Sequence, residues 1–440
     1  MDFTALPLHL HNICAVFVKM AQILEIIFYA RGKPMKKILI FTIFTFCFMF
    51  LTACSDNKES GDNNENNGEE ITDMKQIDFN PTSEIIEIAS FDGYTFKGRL
   101  TLPGEKNIDK LVIFVNSSGP HTYDTRRNFG AGIINYNDLY AKRFQEQGIA
   151  FFAYNTRGVD IGDTPPMYYT LNEEQYNKYL PSIQVDDIYY MIKAVKASDT
   201  RLANSKVLLL GASEGAVIAP LVAEKYPYMV DALFLTGVPV DNMRDVLTWQ
   251  NSGGASMVWY RNNFDKDGDG KISKEEYEAD PNEVIKSILQ NTAFDLIDVN
   301  KDGYIDEQDF YIIMKDSREA IFRAIENKDN LWLRNNYGGG LIPLNSEWFL
   351  EHFELKSNME LLPELDLPIF IFHGTLDQNC DVNKVYELKD KVMELKKTNI
   401  IINIFDGHNH DLNFPDYVTK AVMPEGMQSV FDSVYNFKIN

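Results

Sequence analysis

Two stretches of this sequence carry residues that can do chemistry. In Gly211-Ala212-Ser213-Glu214-Gly215 a serine stands between two glycines, after the apolar run KVLLL and before AVIAPLVAEKY. A turn of small residues between a strand and a helix can bend sharply. It lifts the serine hydroxyl above the sheet edge at the positive end of a helix dipole. A hydroxyl held there becomes a nucleophile once a base takes its proton. The second stretch begins at Asp265. Asp265, Asp267, Asp269 and Glu276 fall at positions 1, 3, 5 and 12 of a loop with Gly270 at position 6. That spacing wraps oxygen ligands around a hard cation such as calcium, with the Lys271 carbonyl as a further ligand and Ser273 acting through water. Asp298, Asn300, Asp302, the Tyr304 carbonyl and Asp309 repeat the pattern, and the shorter Asp309 would bind through one oxygen.

Positioning these groups requires a scaffold. EIIEIAS and YTFKGRLTLP alternate apolar and polar residues around Asp92-Gly93, which predicts a half-solvated hairpin. LVIFVNSSG, IAFFAYNTRG, KVLLLGASEG, ALFLTGVP, PIFIFHG and TNIIINIFDG are continuous apolar runs suited to strands buried on both faces. Helical patterns over 136–147, 182–197, 214–226 and 424–438 lie between and after them. Buried strands alternating with helices predict an α/β fold with a mostly parallel central sheet and helices on both faces.

On these residues the chain resembles an α/β-hydrolase, and LLGASEGAVIAPLVA is similar to the GHSEGG turn of bacterial esterase-like members. It has Ala212 where those often have His, and Ala216 for the second Gly. The resemblance implies the order serine, acid, histidine. It puts the acid at Asp377 in FHGTLDQNCDV and the histidine at His410 or His408 in NIFDGHNHDLNF, with the family spacing from Phe405 and Gly407 favouring His410. His373 is expected only to close a strand end. The resemblance also implies an oxyanion site made by the Glu214 N–H and by the loop VNSSGPHTYD, where Ser118 is chosen over Ser117. Asn155-Thr156-Arg157-Gly158 resembles the family's D-x-R-G loop, and Arg157 is read as structural. Tyr168, Tyr169, Tyr176 and Tyr179 either line a pocket or belong to a tyrosine-rich surface helix.

The two acidic loops resemble an EF-hand pair, with Ile272 and Ile305 where such loops join. They lie where α/β-hydrolases carry lid insertions, so the expected cap spans 241–362 and interrupts a core of 78–240 and 363–440. Calcium is expected as a structural cofactor of that cap. The implied reaction is cleavage of a small-molecule carboxylic ester through an acyl-enzyme. A peptidase or amidase of the same fold is the nearest alternative. A catalytically inactive, calcium-dependent surface binding protein is the other.

The formal net charge of −22 and the absence of a Lys/Arg cluster after residue 37 exclude a nucleic-acid partner. Upstream, Lys36-Lys37, the apolar run Ile38 to Leu51 and Leu51-Thr52-Ala53-Cys54 resemble a bacterial lipoprotein signal peptide. The expectation is a signal over 35–53, with 1–34 an upstream extension ahead of the true start at Met35. Lipidated Cys54 then begins a tether over 54–77, rich in Asp, Asn, Glu and Gly, that buries too little apolar surface to fold. The implied location is the outer membrane, facing the periplasm or the cell surface.

Overall fold

The computed structural model describes residues 80–128, 133–279, 285, 289 and 292–438. The signal peptide, Cys54 and the tether lie outside the described residues. Eight strands form one sheet: β1 (Ser83–Ala89), β2 (Thr95–Thr101), β3 (Lys110–Val115), β4 (Ala150–Tyr154), β5 (Lys206–Ala212), β6 (Ala232–Thr236), β7 (Ile369–Gly374) and β8 (Ile400–Phe405). Their order is β1-β2-β4-β3-β5-β6-β7-β8. β2 runs antiparallel to both its neighbours, and the strands from β4 to β8 in that order are parallel.

The apolar runs explain why this sheet is covered twice. Along β3, Leu111, Ile113 and Val115 enter one core while Val112 and Phe114 enter the other, as a period of two dictates. The first core is closed by α2 (Pro181–Ser198), α3 (Gly215–Lys225) and α11 (Val382–Glu394). The second is closed by α1 (Tyr136–Glu146) and α12 (Glu425–Asn436). The four helices expected from the sequence fall within a residue or two of their patterns.

Between β6 and β7 the chain leaves the sheet. It builds α4 (Met243–Gln250), α5 (Gly254–Phe264), α6 (Lys274–Glu278), α7 (Glu307–Ile313), α8 (Lys315–Glu326), α9 (Asn330–Asn336) and α10 (Ser346–Phe353). Two apolar clusters organise this cap. Tyr176 and Tyr179 of the body pack with Leu333, Leu344, Trp348 and Phe349 of the cap. Met257, Tyr260, Phe264, Ile272, Ile305 and Phe310 make a separate small core for the acidic loops. Tyr176 and Tyr179 are therefore buried at the seam between cap and body.

Arg157 has a structural place. Its guanidinium is buried, bonded to both carboxylate oxygens of Asp187 at 2.9 and 2.6 Å and to Asp92 at 3.0 and 3.2 Å, and it lies over the Tyr94 and Phe96 rings. Asp187 in turn accepts from Ser90 Oγ at 2.5 Å. Replacing Arg157 by Met would leave Asp187 in the interior without its charge partner, so urea unfolding should show a loss of about 3–5 kcal/mol. An unchanged midpoint would mean that the network contributes nothing net.

Candidate active site

The serine turn is built by close approach. A Cβ at Gly211 would lie 2.3 Å from Gly215 O, and one at Gly215 would lie 2.1 Å from Val115 O. Only glycine lets α3 start this near the ends of β3 and β5. Ser213 itself has φ +56°, an uncommon and strained conformation for a non-glycine residue. Its N–H donates to Thr236 O at 3.0 Å, and its carbonyl accepts from Ala216 N–H at 2.8 Å. The strain is thereby held by β6 on one side and by the first turn of α3 on the other.

The next residue after Thr236 locates the histidine. A Cβ at Gly237 would meet His410 Cε1 at 2.6 Å and Nδ1 at 2.7 Å. The His410 ring thus lies over the β6 end to which Ser213 is pinned. Its Nδ1 is 2.8 Å from Asp377 Oδ2, so Nδ1 carries the shared proton and Nε2 is left as the base. His408 points elsewhere. Its Nδ1 meets Asp406 O at 2.9 Å, and its Nε2 accepts from Gly426 N–H at 3.2 Å, at the start of α12.

Asp377 is 1% exposed, and donors occupy both of its oxygens. Oδ1 accepts from Asn379 N–H at 2.7 Å and Cys380 N–H at 2.9 Å. Oδ2 faces His410 and, at 3.3 Å, His373 Nε2. His373 accepts from Val238 N–H at Nδ1, at 3.2 Å, so its proton sits on Nε2, 3.2 Å from Cys380 O. His373 does close β7, and it also forms the floor beneath the acid. Sequence reasoning gave it only the first role, because the second depends on a contact with the loop that β7 feeds. Burial alone would raise the Asp377 carboxyl. The two imidazoles and the bond from Cys380 N–H outweigh it and hold the group below its ordinary value. Burial likewise lowers His410, but Asp377 more than compensates and raises it above the ordinary 6.5.

The loop after β3 begins against the serine turn, where a Cβ at Gly215 would lie 2.9 Å from Asn116 O. His121 Nε2 is 3.0 Å from Ser117 Oγ and 3.2 Å from Ser118 O. His121 N–H donates to Thr156 Oγ1 at 3.1 Å. Burial, with Arg127 nearby, depresses this imidazole to about 4. It is a neutral pin for the Ser117 hydroxyl and the Ser118 carbonyl, and the sequence reading missed it. The cap touches both loops. Ile342 Cγ2 would lie 3.0 Å from a Cβ at Gly119, and Gln250 Nε2 donates to Asn379 O at 2.7 Å.

The acidic loops form a matched pair. Ile272 and Ile305 are antiparallel partners, and both are buried. The ligand oxygens of Asp265, Asp267 and Asp269 lie within 4.8 Å of one another, and Gly270 and Gly303 have φ +86° and +93°. Glu276 accepts from Lys266 N–H at 2.8 Å and Ser273 N–H at 2.9 Å. Asp309 accepts from Val299 N–H at 2.8 Å, Asn300 N–H at 3.1 Å and Asp306 N–H at 3.1 Å. Asp298 Oδ1 is buried without a hydrogen-bond partner among the described residues, while Oδ2 accepts from Gly303 N–H at 3.2 Å. A buried carboxylate oxygen left over at position 1 of such a loop fits a divalent cation. The amide of Asn300 serves the turn as a carboxylate would, since its Oδ1 accepts from Asp302 N–H at 2.8 Å. Asp302 Oδ1 accepts in turn from Tyr304 N–H at 3.0 Å.

Two family models match parts of this chain. The family model described as serine aminopeptidase, S33 matches residues 130–287, a little over a third of the chain, and the serine turn falls inside that span. An EF-hand model matches 290–314, which contains the second loop. No curated protein matches the sequence. Among solved structures, a highly thermostable carboxyl esterase from Bacillus coagulans is similar at 15% identity and TM-score 0.46, covering 81% of this chain and 100% of that one. The Pyrococcus horikoshii acylaminoacyl peptidase is similar at 12% identity and TM-score 0.44, also over 81% of this chain, but this chain spans only 41% of its length. Strand order and the family match define an α/β-hydrolase fold with an EF-hand segment in its cap.

The two site imidazoles should titrate on opposite sides of the ordinary value, and nitrogen-resolved NMR can follow both. His410 should protonate with an inflection above 6.5, moving down in Asp377→Asn, while His121 stays neutral until about 4. A His410 inflection below 6.5 in the native protein would contradict the pairing with Asp377.

Proposed function

We propose that this protein is a serine hydrolase that cleaves carboxylic esters through an acyl-enzyme, with Ser213, His410 and Asp377 as its catalytic residues. The observation that carries the reading is the 2.8 Å contact between Asp377 and His410, made with the imidazole lying over Gly237 beside the strained serine turn.

The chemistry follows from the atoms. His410 Nε2 takes the Ser213 proton as Oγ adds to the ester carbonyl carbon. The carbonyl π-electrons move to oxygen, and the resulting oxyanion is received by the N–H groups of Glu214 and Ser118. As the C–O bond to the alcohol breaks, the imidazolium returns the proton to the leaving oxygen. Water repeats the sequence on the acyl-enzyme, releasing the acid and free Ser213. Asp377 keeps the tautomer that leaves Nε2 unprotonated and stabilises the imidazolium.

The description of the matching family model as a serine aminopeptidase favours a second reading, in which the same groups act on an amide. Comparing turnover of acyl esters and aminoacyl anilides at one enzyme concentration separates the two. A fluorophosphonate probe tests the shared chemistry. The native protein should label and Ser213→Ala should not. A native protein that fails to label would favour a binding protein on this scaffold.

Calcium is read as the structural ion of the cap, held by Asp265, Asp267, Asp269, Lys271 and Glu276 in one loop and by Asp298, Asn300, Asp302, Tyr304 and Asp309 in the other. When bound, it would offset the repulsion among the clustered carboxylates. Calcium at about a hundredfold over its dissociation constant should stabilise the fold by about 2.7 kcal/mol, read as a higher Tm. Identical melting in calcium and in chelator would remove the ion from the account.

The location read from the sequence, an outer-membrane lipoprotein anchored through Cys54, is part of this proposal. Among the described residues no helix is long and apolar enough to cross a membrane. Growth with labelled palmitate should mark the native chain and leave Cys54→Ala unmarked.

A further inference from the structure

The Glu214 side chain is not used by the reaction just described, where only its backbone N–H acts. Yet it is fully buried directly after the nucleophile, an expensive place for a carboxylate. Three donors converge on it. Tyr179 Oη donates to Oε2 at 2.6 Å, and Gln184 Nε2 and Trp348 Nε1 donate to Oε1 at 2.8 and 2.9 Å. His352 Nε2 stands 3.4 Å from Oε1, too misaligned for a hydrogen bond, with its Nδ1 turned to Trp348 O at 2.9 Å. Burial raises the carboxyl, but His352, Tyr179 and Gln184 together bring it below its ordinary value. The group is therefore a charged acceptor with one directional donor on Oε2 and two on Oε1.

Those partners come from different parts of the molecule. Gln184 belongs to α2 of the body. Tyr179 lies just ahead of α2, and its hydroxyl also stands 3.5 Å from Ser117 O in the loop after β3. Trp348 and His352 lie on α10 of the cap. Where the chain returns from the cap, Asn358 Nδ2 donates to Ala216 O and Pro239 O, both at 2.9 Å. The cap thus grips the first turn of α3 twice, once through the Glu214 carboxylate and once through a backbone carbonyl.

We propose that the Glu214 side chain is a positioning residue that latches cap helix α10 to the nucleophile turn, so that a docked cap sets the geometry of Ser213 and of its neighbouring backbone donors. Simple adhesion of a cap needs only apolar packing, which Leu344, Phe349 and Tyr176 already provide. A buried charge with fixed donors adds direction. It permits one rotation of α10 against α3 and penalises the others, because each misaligned donor would be buried without a partner. The backbone N–H of Glu214 points from the same residue whose side chain the cap holds, so movement of α10 is transmitted to the oxyanion site by a single residue. The proposal rests on the serine hydrolase reading for its kinetic consequence, but not for its structural one.

Trp348→Phe removes one N–H from the cap side and leaves the elbow sequence intact. Glu214→Gln keeps the shape and removes the charge. Both variants are compared with the native full chain by amide hydrogen exchange over 211–217, by p-nitrophenyl butyrate kinetics and by fluorophosphonate acylation rate. The expected result for Trp348→Phe is faster exchange across 211–217, far from the substitution in sequence, with kcat lowered about ten- to a hundredfold and KM little changed. Glu214→Gln should show the same pattern. If Trp348→Phe lowers only Tm, with exchange at 211–217 and kcat within about twofold of native, α10 is mere packing and the latch is overturned. If the native protein neither turns over ester nor labels, the hydrolase reading fails, and the exchange data alone still decide the latch.

Discussion

The arrangement depends on keeping one carboxylate ionised inside the protein. Asp377 is 1% exposed, and an isolated carboxylate there would take up a proton. The loop after β7 prevents this by aiming the N–H groups of Asn379 and Cys380 at Oδ1, leaving Oδ2 for His410 and His373. Two of these donors are held by groups further away. His373 is fixed by Val238 N–H at the end of β6, and Asn379 O is held by Gln250 of the cap. The tautomer of His410, with its proton on Nδ1, follows from that satisfied carboxylate.

The cap is consequently more than a cover. Its small apolar core around Phe264, Ile272, Ile305 and Phe310 binds the two acidic loops into one unit. Next to that unit, Arg318 of α8 reaches the end of α4, its Nη1 donating to Asn251 O at 3.0 Å, and Phe310 packs against Gly253 ahead of α5. From α4 the contacts run to Asn379, and from α10 to Glu214. The cap therefore touches both the acid loop, through Gln250, and the serine turn, through Trp348.

Features set by local spacing were legible in the sequence. The serine turn and both acidic loops are written within a dozen residues each, because a backbone turn or an ion shell needs its ligands at fixed offsets. The strand runs were legible because burial on both faces demands continuous apolar residues. Asp377 and His410 stood out by following strands, and the spacing favoured His410 over His408, whose ring is occupied at the start of α12. What was not legible is packing between distant segments. Nothing near Glu214 announces Trp348, 134 residues later. The tyrosines at 176 and 179 left two readings open, because only the cap, folded back over them, decides that they are buried. His121 was not singled out and His373 was read only as closing a strand end, since their contacts with Ser117 Oγ, Ser118 O, Val238 N–H and Asp377 Oδ2 arise only where the loops fold together.

The most direct measurement is a crystal structure of the protein after reaction with a diethyl aryl phosphate, an organophosphate that serine hydrolases accept in place of an ester. The expected adduct has phosphorus bonded to Ser213 Oγ, the phosphoryl oxygen facing the Glu214 and Ser118 N–H groups, and His410 Nε2 directed at the ester oxygens. An unmodified Ser213, or an adduct carried by another residue, would contradict the catalytic assignment.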